Sequence, residues 1–312
     1  MGLPETTPKL IAIVGPTASG KTALSVRLAE RFDGEIVSAD SRQIYRGMDI
    51  GTAKPTAAEI RAVPHHLIDI KDPDVDYTVA AYKADAVAAI HGIVARGRVP
   101  FLVGGTGLYA DAVVQNLDIP RVPADPALRT RLEAEIARDG LSAVFDRLVA
   151  LDPEAAYVVD PKNPRRVVRA LEVALTTGLP FTAQRKKNPP LFDALTIGLD
   201  VPPDALRTRI DARIDAMMKE GLVHEVETLA ARWGASCSAF DAIGYREIIG
   251  YLEGRTTLDE AAAIMRTNTW HYAKRQMTWF KQNKNVHWIR EEDEANALVE
   301  EFLRPGRGKG GR

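Results

Sequence analysis

The sequence predicts an α/β fold in which a parallel sheet flanked by helices forms the core and an all-helical domain is inserted into it. Three observations carry this. Short apolar runs alternate with amphipathic helical stretches on both sides of the chain's middle. A glycine-rich turn, Gly15 to Thr22, joins the first run to the first helix. Between these two regions, over 122–194, helical periodicity replaces β-branched alternation.

In chain order, Lys9 to Val14 (KLIAIV) reads as a strand and Ala23 to Phe32 as a helix. Strand-like runs follow at Glu35 to Ala39, Leu67 to Ile70 and Val99 to Val103, with an amphipathic helix over Val79 to Ala95. The stretch PRVPADP then puts three prolines into seven residues and ends this pattern. Helices are predicted next at Asp125 to Arg138, Leu141 to Leu151, Pro153 to Val159 and Pro164 to Thr177. Leu195 to Val201 resumes the strand pattern, followed by helices at Pro203 to Glu220, Leu222 to Trp233, Phe240 to Tyr251 and Leu258 to Lys281. Val286 to Ile289 reads as a last strand and Glu291 to Leu303 as an acidic closing helix. The expected domains are a core of 8–121 and 195–303, an insertion of 122–194, and a basic tail, 304–312, without an apolar anchor and expected to be disordered.

The 312 residues carry 41 Lys plus Arg against 42 Asp plus Glu, a net charge of −1, which excludes a uniformly basic nucleic-acid coat. A composition 46% hydrophobic and 27% charged is that of a globular protein. Cys237 is the single cysteine, so no intrachain disulfide forms and a structural thiol is expected. The start, MGLPETTPKL, lacks a basic segment followed by an apolar one, and no apolar run reaches the ~18 residues of a membrane span. A cytoplasmic protein with no membrane partner is the expectation.

Gly15, Pro16, Thr17, Ala18, Ser19, Gly20, Lys21 and Thr22 fit GxxxxGK[ST] between a strand and a helix, the context in which this pattern binds phosphate. Glycines let successive N–H groups curl round an anion, and the helix turns its positive end toward it. Lys21 supplies a point charge, and the Thr22 hydroxyl is the candidate Mg²⁺ ligand. A P-loop NTPase-like core follows. An ATP-hydrolysing enzyme would also need an acid at the end of an apolar strand; Asp69 and Asp200 are weak candidates, and VPFLVGGTGLY carries none. A diphosphate other than ATP therefore stays open.

Asp40 closes the second predicted strand, the end at which open α/β sheets bind ligands. From the residue alone, a general base, a metal ligand and a turn-capping carboxylate are all open. The wider stretch SADSRQIYRGMDIGTAKP, Ser38 to Pro55, resembles the signature of the tRNA dimethylallyltransferase (isopentenyltransferase) family. Val103 to Tyr109 (VGGTGLY), Ala124 to Arg129, Asp152-Pro153, Asn163 to Val173, Thr177 to Pro180, Ile210 to Gly221, Ala242 to Glu247 (AIGYRE) and Lys274 to Lys281 (KRQMTWFK) continue the resemblance in order, from about Leu10 to Ile289. One departure is Asp160-Pro161-Lys162-Asn163, where the family more often has His-Pro-Asn-Asp.

The resemblance implies transfer of a dimethylallyl group from dimethylallyl diphosphate to N6 of the adenosine at tRNA position 37, 3′ to the anticodon. It places the donor's diphosphate on the phosphate loop with Mg²⁺ and makes Asp40 the base, Thr106 an orienting group and Arg246 a further positive charge on substrate. It also implies tRNA contacts by Asp40, Ser41, Arg42, Gln43, Thr106, Arg129, Arg165, Arg166, Arg169, Gly244, Tyr245, Arg246, Lys274, Arg275, Gln276 and Trp279. The partner would be the anticodon stem-loop, bound to a monomer.

Local charge agrees with an RNA partner. Between Lys162 and Lys187 stand seven basic residues (Lys162, Arg165, Arg166, Arg169, Arg185, Lys186, Lys187) and one acid, Glu172. From Lys274 to Arg290 five basic residues and no acid are interleaved with Trp279, Phe280 and Trp288, a pattern suited to backbone contact and base stacking. The near-zero net charge is thus a cancellation. Two other readings stay in play on the residues: a small-molecule P-loop kinase that uses ATP, and a non-enzymatic RNA-binding P-loop protein. His65 and His66 have no Cys or carboxylate at metal-ligand spacing around them, and His271 reads as a packed or surface residue.

Overall fold

A computed structural model describes residues 7–120, 122, 125–184 and 188–304. Its elements in chain order are β1 (Lys9–Val14), α1 (Lys21–Arg31), β2 (Gly34–Ser38), α2 (Ala57–Ala62), β3 (His65–His66), α3 (Val79–Ala95), β4 (Val99–Gly104) and α4 (Gly107–Val114). The helices α5 (Pro126–Asp139), α6 (Leu141–Leu151), α7 (Ala155–Val158) and α8 (Pro164–Thr177) follow. Then come β5 (Asp193–Leu199), α9 (Pro203–Glu220), α10 (Leu222–Trp233), α11 (Tyr245–Leu252), α12 (Leu258–Lys281), β6 (Val286–Ile289) and α13 (Glu292–Leu303). The chain divides into two compact units, 1–114 with 190–312, and 115–189, whereas the sequence suggested 122–194 for the second. The expected tail and the basic residues Arg185, Lys186 and Lys187 lie outside the described residues, apart from Arg304.

In the first unit six strands pair in the order β3-β2-β4-β1-β5-β6, every pair parallel. Parallel strands need both faces covered, and the β1 residues show this. Ile11 and Ile13 pack with Leu24, Leu28 and Val299 on one face. Leu10 and Ala12 pack with Tyr82, Ile90 and Tyr109 on the other. The rings of Tyr82 and Tyr109 stack there at 3.8 Å. A third cluster gathers Ile44, Met48, Ile210, Ile214, Leu222, Phe240 and Tyr245. Because all strands point the same way, the loops after β1, β2 and β4 emerge side by side at one edge of the sheet, which places the site. No helix of the described residues is long and apolar enough to cross a membrane.

Several elements differ from the sequence expectation. The ladder beside β2 is His65–His66, not Leu67 to Ile70, because Leu67 and Asp69 take left-handed φ values of 62° and 55° that extended strands cannot hold. The amides of Asp69, Ile70 and Lys71 donate instead to the carbonyls of Gln43 and Ile44. Helix α2, held by a capping box between Thr56 and Glu59, and helix α4, whose first turn is closed by the Thr106 carbonyl, were not anticipated. The predicted helix Phe240 to Tyr251 splits into a 3-10 turn at Ser238–Asp241 and α11, since Gly244 at φ +100° breaks it. Asp69 and Asp200 are ion-paired to Lys54 and Arg290, and neither serves the phosphate loop.

The described residues of the second unit pack helices around Leu128, Leu132, Val144, Leu148, Val167 and Leu171. Asp125 and Asn163 cap α5 and α8 with a proline following each, the signal that made both starts legible. Glu172, 0% exposed, accepts from Arg129 Nε and Nη2 at 2.9 Å, Arg169 Nη1 at 2.5 Å and the Asp125 amide at 2.8 Å. Burial alone would raise this carboxyl, but the two arginines and the amide outweigh it and hold it below the usual glutamate range. Its stabilisation is therefore present above the unfolded glutamate pKa and lost as pH falls through the lower folded value. Glu172→Gln should cost about 3–5 kcal/mol by leaving two guanidinium groups without their counter-charge, read as a drop in the urea midpoint at neutral pH that shrinks in acid.

Candidate active site

One cavity of about 250 Å³ opens where the loops after β1, β2 and β4 meet, lined among others by Ser19, Lys21, Thr22, Asp40, Thr106's neighbours Gly104 and Gly105, and Tyr272. The phosphate loop is bent by positive φ at Gly15 (148°), Ala18 (61°) and Gly20 (96°), which turns successive amides to one side. Lys21 Nζ donates to the Pro16 carbonyl at 2.6 Å, folding its charge back over the loop. Ser19 Oγ is buried without a hydrogen-bond partner among the described residues, a polar atom that an anion or its hydration would satisfy.

Two arginines one helical turn apart on α9 reach this loop. Arg209 Nη1 donates to the Ser19 carbonyl at 3.3 Å and Arg213 Nη1 to Thr17 Oγ1 at 3.5 Å. Burial lowers the Lys21 pKa to about 7; Asp40 pulls it back up and Arg213 pushes it further down. Burial also lowers that of Arg213. Two half-desolvated cations beside an orphaned hydroxyl form a site that gains from a multiply charged anion. The sequence had not singled out Arg213; its only signal is the four-residue spacing from Arg209 on a predicted helix.

Asp40 Oδ1 accepts the Arg42 amide at 2.9 Å, which turns the chain, and Asp40 lines the cavity. Thr106 joins the loops after β2 and β4: its amide donates to the Ala39 carbonyl at 3.1 Å, and its Oγ1 accepts the Ser41 amide at 3.0 Å. A Cβ at Gly104 would collide with that same Ala39 carbonyl, so the close approach requires glycine. Tyr272 on α12 hydrogen-bonds Thr106; burial and then the Asp40 charge raise its phenol to about 12, so it stays neutral. Tyr272 is a second residue the sequence did not single out. Thr22, on the first turn of α1, lines the cavity beside the loop, and among the described residues no cluster of three or more His, Cys, Asp or Glu could hold a metal ion. A single protein oxygen suits Mg²⁺, which keeps waters and takes its other ligands from substrate phosphates.

The remaining predicted contacts divide by burial. Arg42 donates to the carbonyls of Ser238 and Ala239, away from the cavity lining, whereas Gln43 donates to those of Thr52 and Ala53 and with them lines the cavity. Tyr245 is wholly buried, its hydroxyl donating to Glu225 at 2.6 Å, while Glu225 also gathers the amides of Asp49, Ile50 and Gly51. It offers RNA no surface, and its expected contact is corrected to a core role. Gly244 is the turn that starts α11. Arg246 is exposed and bonded to Glu247 at 2.6 Å, away from the cavity lining, so the catalytic role expected for it is not supported by its position. Gln276, buried, bonds Thr17 and Gly105, and Trp279 donates to Asp111 at 2.8 Å; both are held by protein partners. Arg129 and Arg169 are committed to Glu172, whereas Arg165 and Arg166 are exposed at the start of α8. Lys274 and Arg275 are exposed beside the rings of Trp270 and Tyr272.

This geometry has known counterparts. The family model described as IPP transferase matches residues 43–283, and that described as isopentenyl transferase matches residues 8–76. A tRNA dimethylallyltransferase of Roseiflexus sp. is 54% identical over 89% of this chain and 91% of its own length. One from Halalkalibacterium halodurans is 48% identical over 90% of each. Among solved structures, a tRNA isopentenylpyrophosphate transferase from Bacillus halodurans superposes with a TM-score of 0.69 at 44% identity, covering 94% of this chain and 97% of that one. A eukaryotic dimethylallyltransferase described as acting on tRNA gives 0.79 at 26% identity, covering 97% and 81%. The P-loop NTPase-like core expected from the sequence is the fold these structures share.

Proposed function

This chain belongs to the tRNA dimethylallyltransferase family, a family of prenyltransferases acting on adenosine in tRNA, and on that premise we propose that it modifies N6 of the adenosine at position 37, 3′ to the anticodon. The donor is dimethylallyl diphosphate, seated on Gly15 to Thr22. One observation carries the reading: a single cavity joins an anion cradle with Lys21 and Arg213 to a carboxylate, Asp40, on the neighbouring loop. The enzyme is a cytoplasmic monomer that takes the anticodon stem-loop, with the exposed Arg166, Lys274 and Arg275 available for RNA phosphates.

In the reaction the bond from the allylic carbon to the diphosphate oxygen breaks with its electron pair leaving on diphosphate, and the adenine N6 forms the new bond. Adenine N6 is a weak nucleophile because its lone pair is conjugated into the ring. Asp40 accepts the proton it sheds. Lys21, Arg213 and the loop amides stabilise the charge that gathers on the departing diphosphate. Thr106, fixed between Ser41 and Tyr272, orients the base edge. Thr22 and the diphosphate oxygens would hold Mg²⁺, which when bound adds positive charge against the leaving group. To reach the cavity the adenosine leaves the anticodon stack.

Incubation with anticodon stem-loop RNA, dimethylallyl diphosphate and Mg²⁺ should add one dimethylallyl unit to that adenosine, mapped by mass spectrometry of nuclease fragments. Omitting Mg²⁺ should abolish transfer, and ATP in place of the prenyl donor should add no phosphate. An unmodified adenosine at position 37, with modification elsewhere, would sink the assignment.

A further inference from the structure

One face of α12 carries Tyr272, Gln276 and Trp279 at helical spacing, and each engages the loops at the sheet edge. Tyr272 bonds Thr106, while Trp279 donates to Asp111 and its indole fills the space a Cβ at Gly107 would need. Gln276 lies between them and is 5% exposed. Its Oε1 accepts the Thr17 amide at 2.8 Å and its Nε2 donates to the Gly105 carbonyl at 2.8 Å. One side-chain amide thus ties the loop after β1 to the loop after β4.

We propose that Gln276 is a positioning residue that sets the distance between the donor's diphosphate and the adenine, by cross-linking the phosphate loop to the Gly-Gly-Thr loop. The inference rests on the reading above, that Gly15 to Thr22 hold the diphosphate and that Thr106 faces the base. Displacement at an allylic carbon requires the attacking and leaving atoms to be held in line, with the nucleophile at roughly 3–3.5 Å. The two loops that fix those atoms leave different strands, and both are glycine-rich, so neither is stiff by itself. A bond from each to one buried group couples them.

The chemistry selects an amide. The Thr17 amide needs an acceptor and the Gly105 carbonyl a donor, and glutamine supplies one of each from a single planar group. Glutamate can only accept, so Gln276→Glu would turn an oxygen against the Gly105 carbonyl. Methionine keeps the volume and makes neither bond. A Cβ at Gly105 would collide with the Gln276 amide, so Gly105→Ala disturbs the same link from its other end while leaving Gln276 in place.

The test uses the full chain and single-turnover transfer from labelled dimethylallyl diphosphate to tRNA, with tRNA Kd and Tm measured in parallel. Gln276→Met and Gln276→Glu should lower kcat by about 10²-fold, the cost of a misplacement near 1 Å, with tRNA Kd within about twofold of wild type. Gly105→Ala should move kcat in the same direction, which keeps the test decisive should a Gln276 variant fail to fold. Unchanged kcat in folded variants overturns the proposal. So does a loss confined to tRNA affinity, which would make Gln276 an RNA contact, or a loss that vanishes when rates are normalised to folded protein. Failure of the wild type to modify N6 would overturn the underlying reading, and appears in the wild-type arm before any variant is compared.

Discussion

Asp40→Asn should lower kcat by about 10²–10⁴-fold, the usual contribution of a general base, while tRNA Kd changes by less than about twofold. Asparagine keeps an oxygen for the Arg42 amide, so the turn after β2 survives and the substitution removes only the proton acceptor. The expected signature is a fall in kcat and kcat/KM together, as for an interaction made only in the transition state. Near-wild-type single-turnover rates combined with weak tRNA binding would reassign Asp40 from base to RNA ligand.

The parts of this site that the sequence made legible are those whose geometry is local. Gly15 to Thr22 spell out their own turn, and the strand before and helix after them are separate, short-range signals. Asp40 and Thr106 could be placed at the sheet edge because parallel strands deliver their carboxyl ends to one edge, so a residue just past a predicted strand is positioned by topology alone. Arg213 and Tyr272 were missed because their positions depend on where α9 and α12 pack, nearly two hundred residues or more from the phosphate loop in sequence. On the helix itself Arg213 sits among Asp211 and Asp215, which reads as a solvated face.

Buried residues show the same limit from the other side. Tyr245 and Gln276 stand in stretches rich in polar and basic residues, and sequence patterning gave no sign that both would be buried. Glu172 was counted as the lone acid in a basic stretch; its isolation among arginines was the signal of a buried clamp. The charge that helix exposes is accordingly smaller than its composition suggests. The strand register at His65–His66 escaped for a different reason. LIDI has strand composition, but backbone bonds to the Gln43 and Ile44 carbonyls win over the sheet.

Lys21→Met should reduce kcat/KM for dimethylallyl diphosphate by about 10²–10³-fold, the scale of removing one preorganised charge partner from a leaving group. The more telling result is its pH dependence. The ligand-free lysine titrates at about 7, far below its ordinary value, because burial penalises the ammonium and Arg213 repels it. Between that value and the unfolded lysine value the unfolded chain binds more protons, so this group makes stability rise with pH over that window; below it the full penalty of the buried charge remains. Lys21→Met should therefore raise the Tm of the ligand-free protein at pH 6–7 and lose that advantage as pH approaches 10. Diphosphate reverses the balance: its negative charge favours the ammonium, so donor binding at pH 8 should take up a proton. Calorimetry in two buffers of different ionisation enthalpy should show a buffer-dependent binding heat in the wild type that is absent in Lys21→Met. Equal heats in both buffers for the wild type would mean that Lys21 is already charged before the donor arrives, and that the loop gains its affinity from Arg213 and the amides instead.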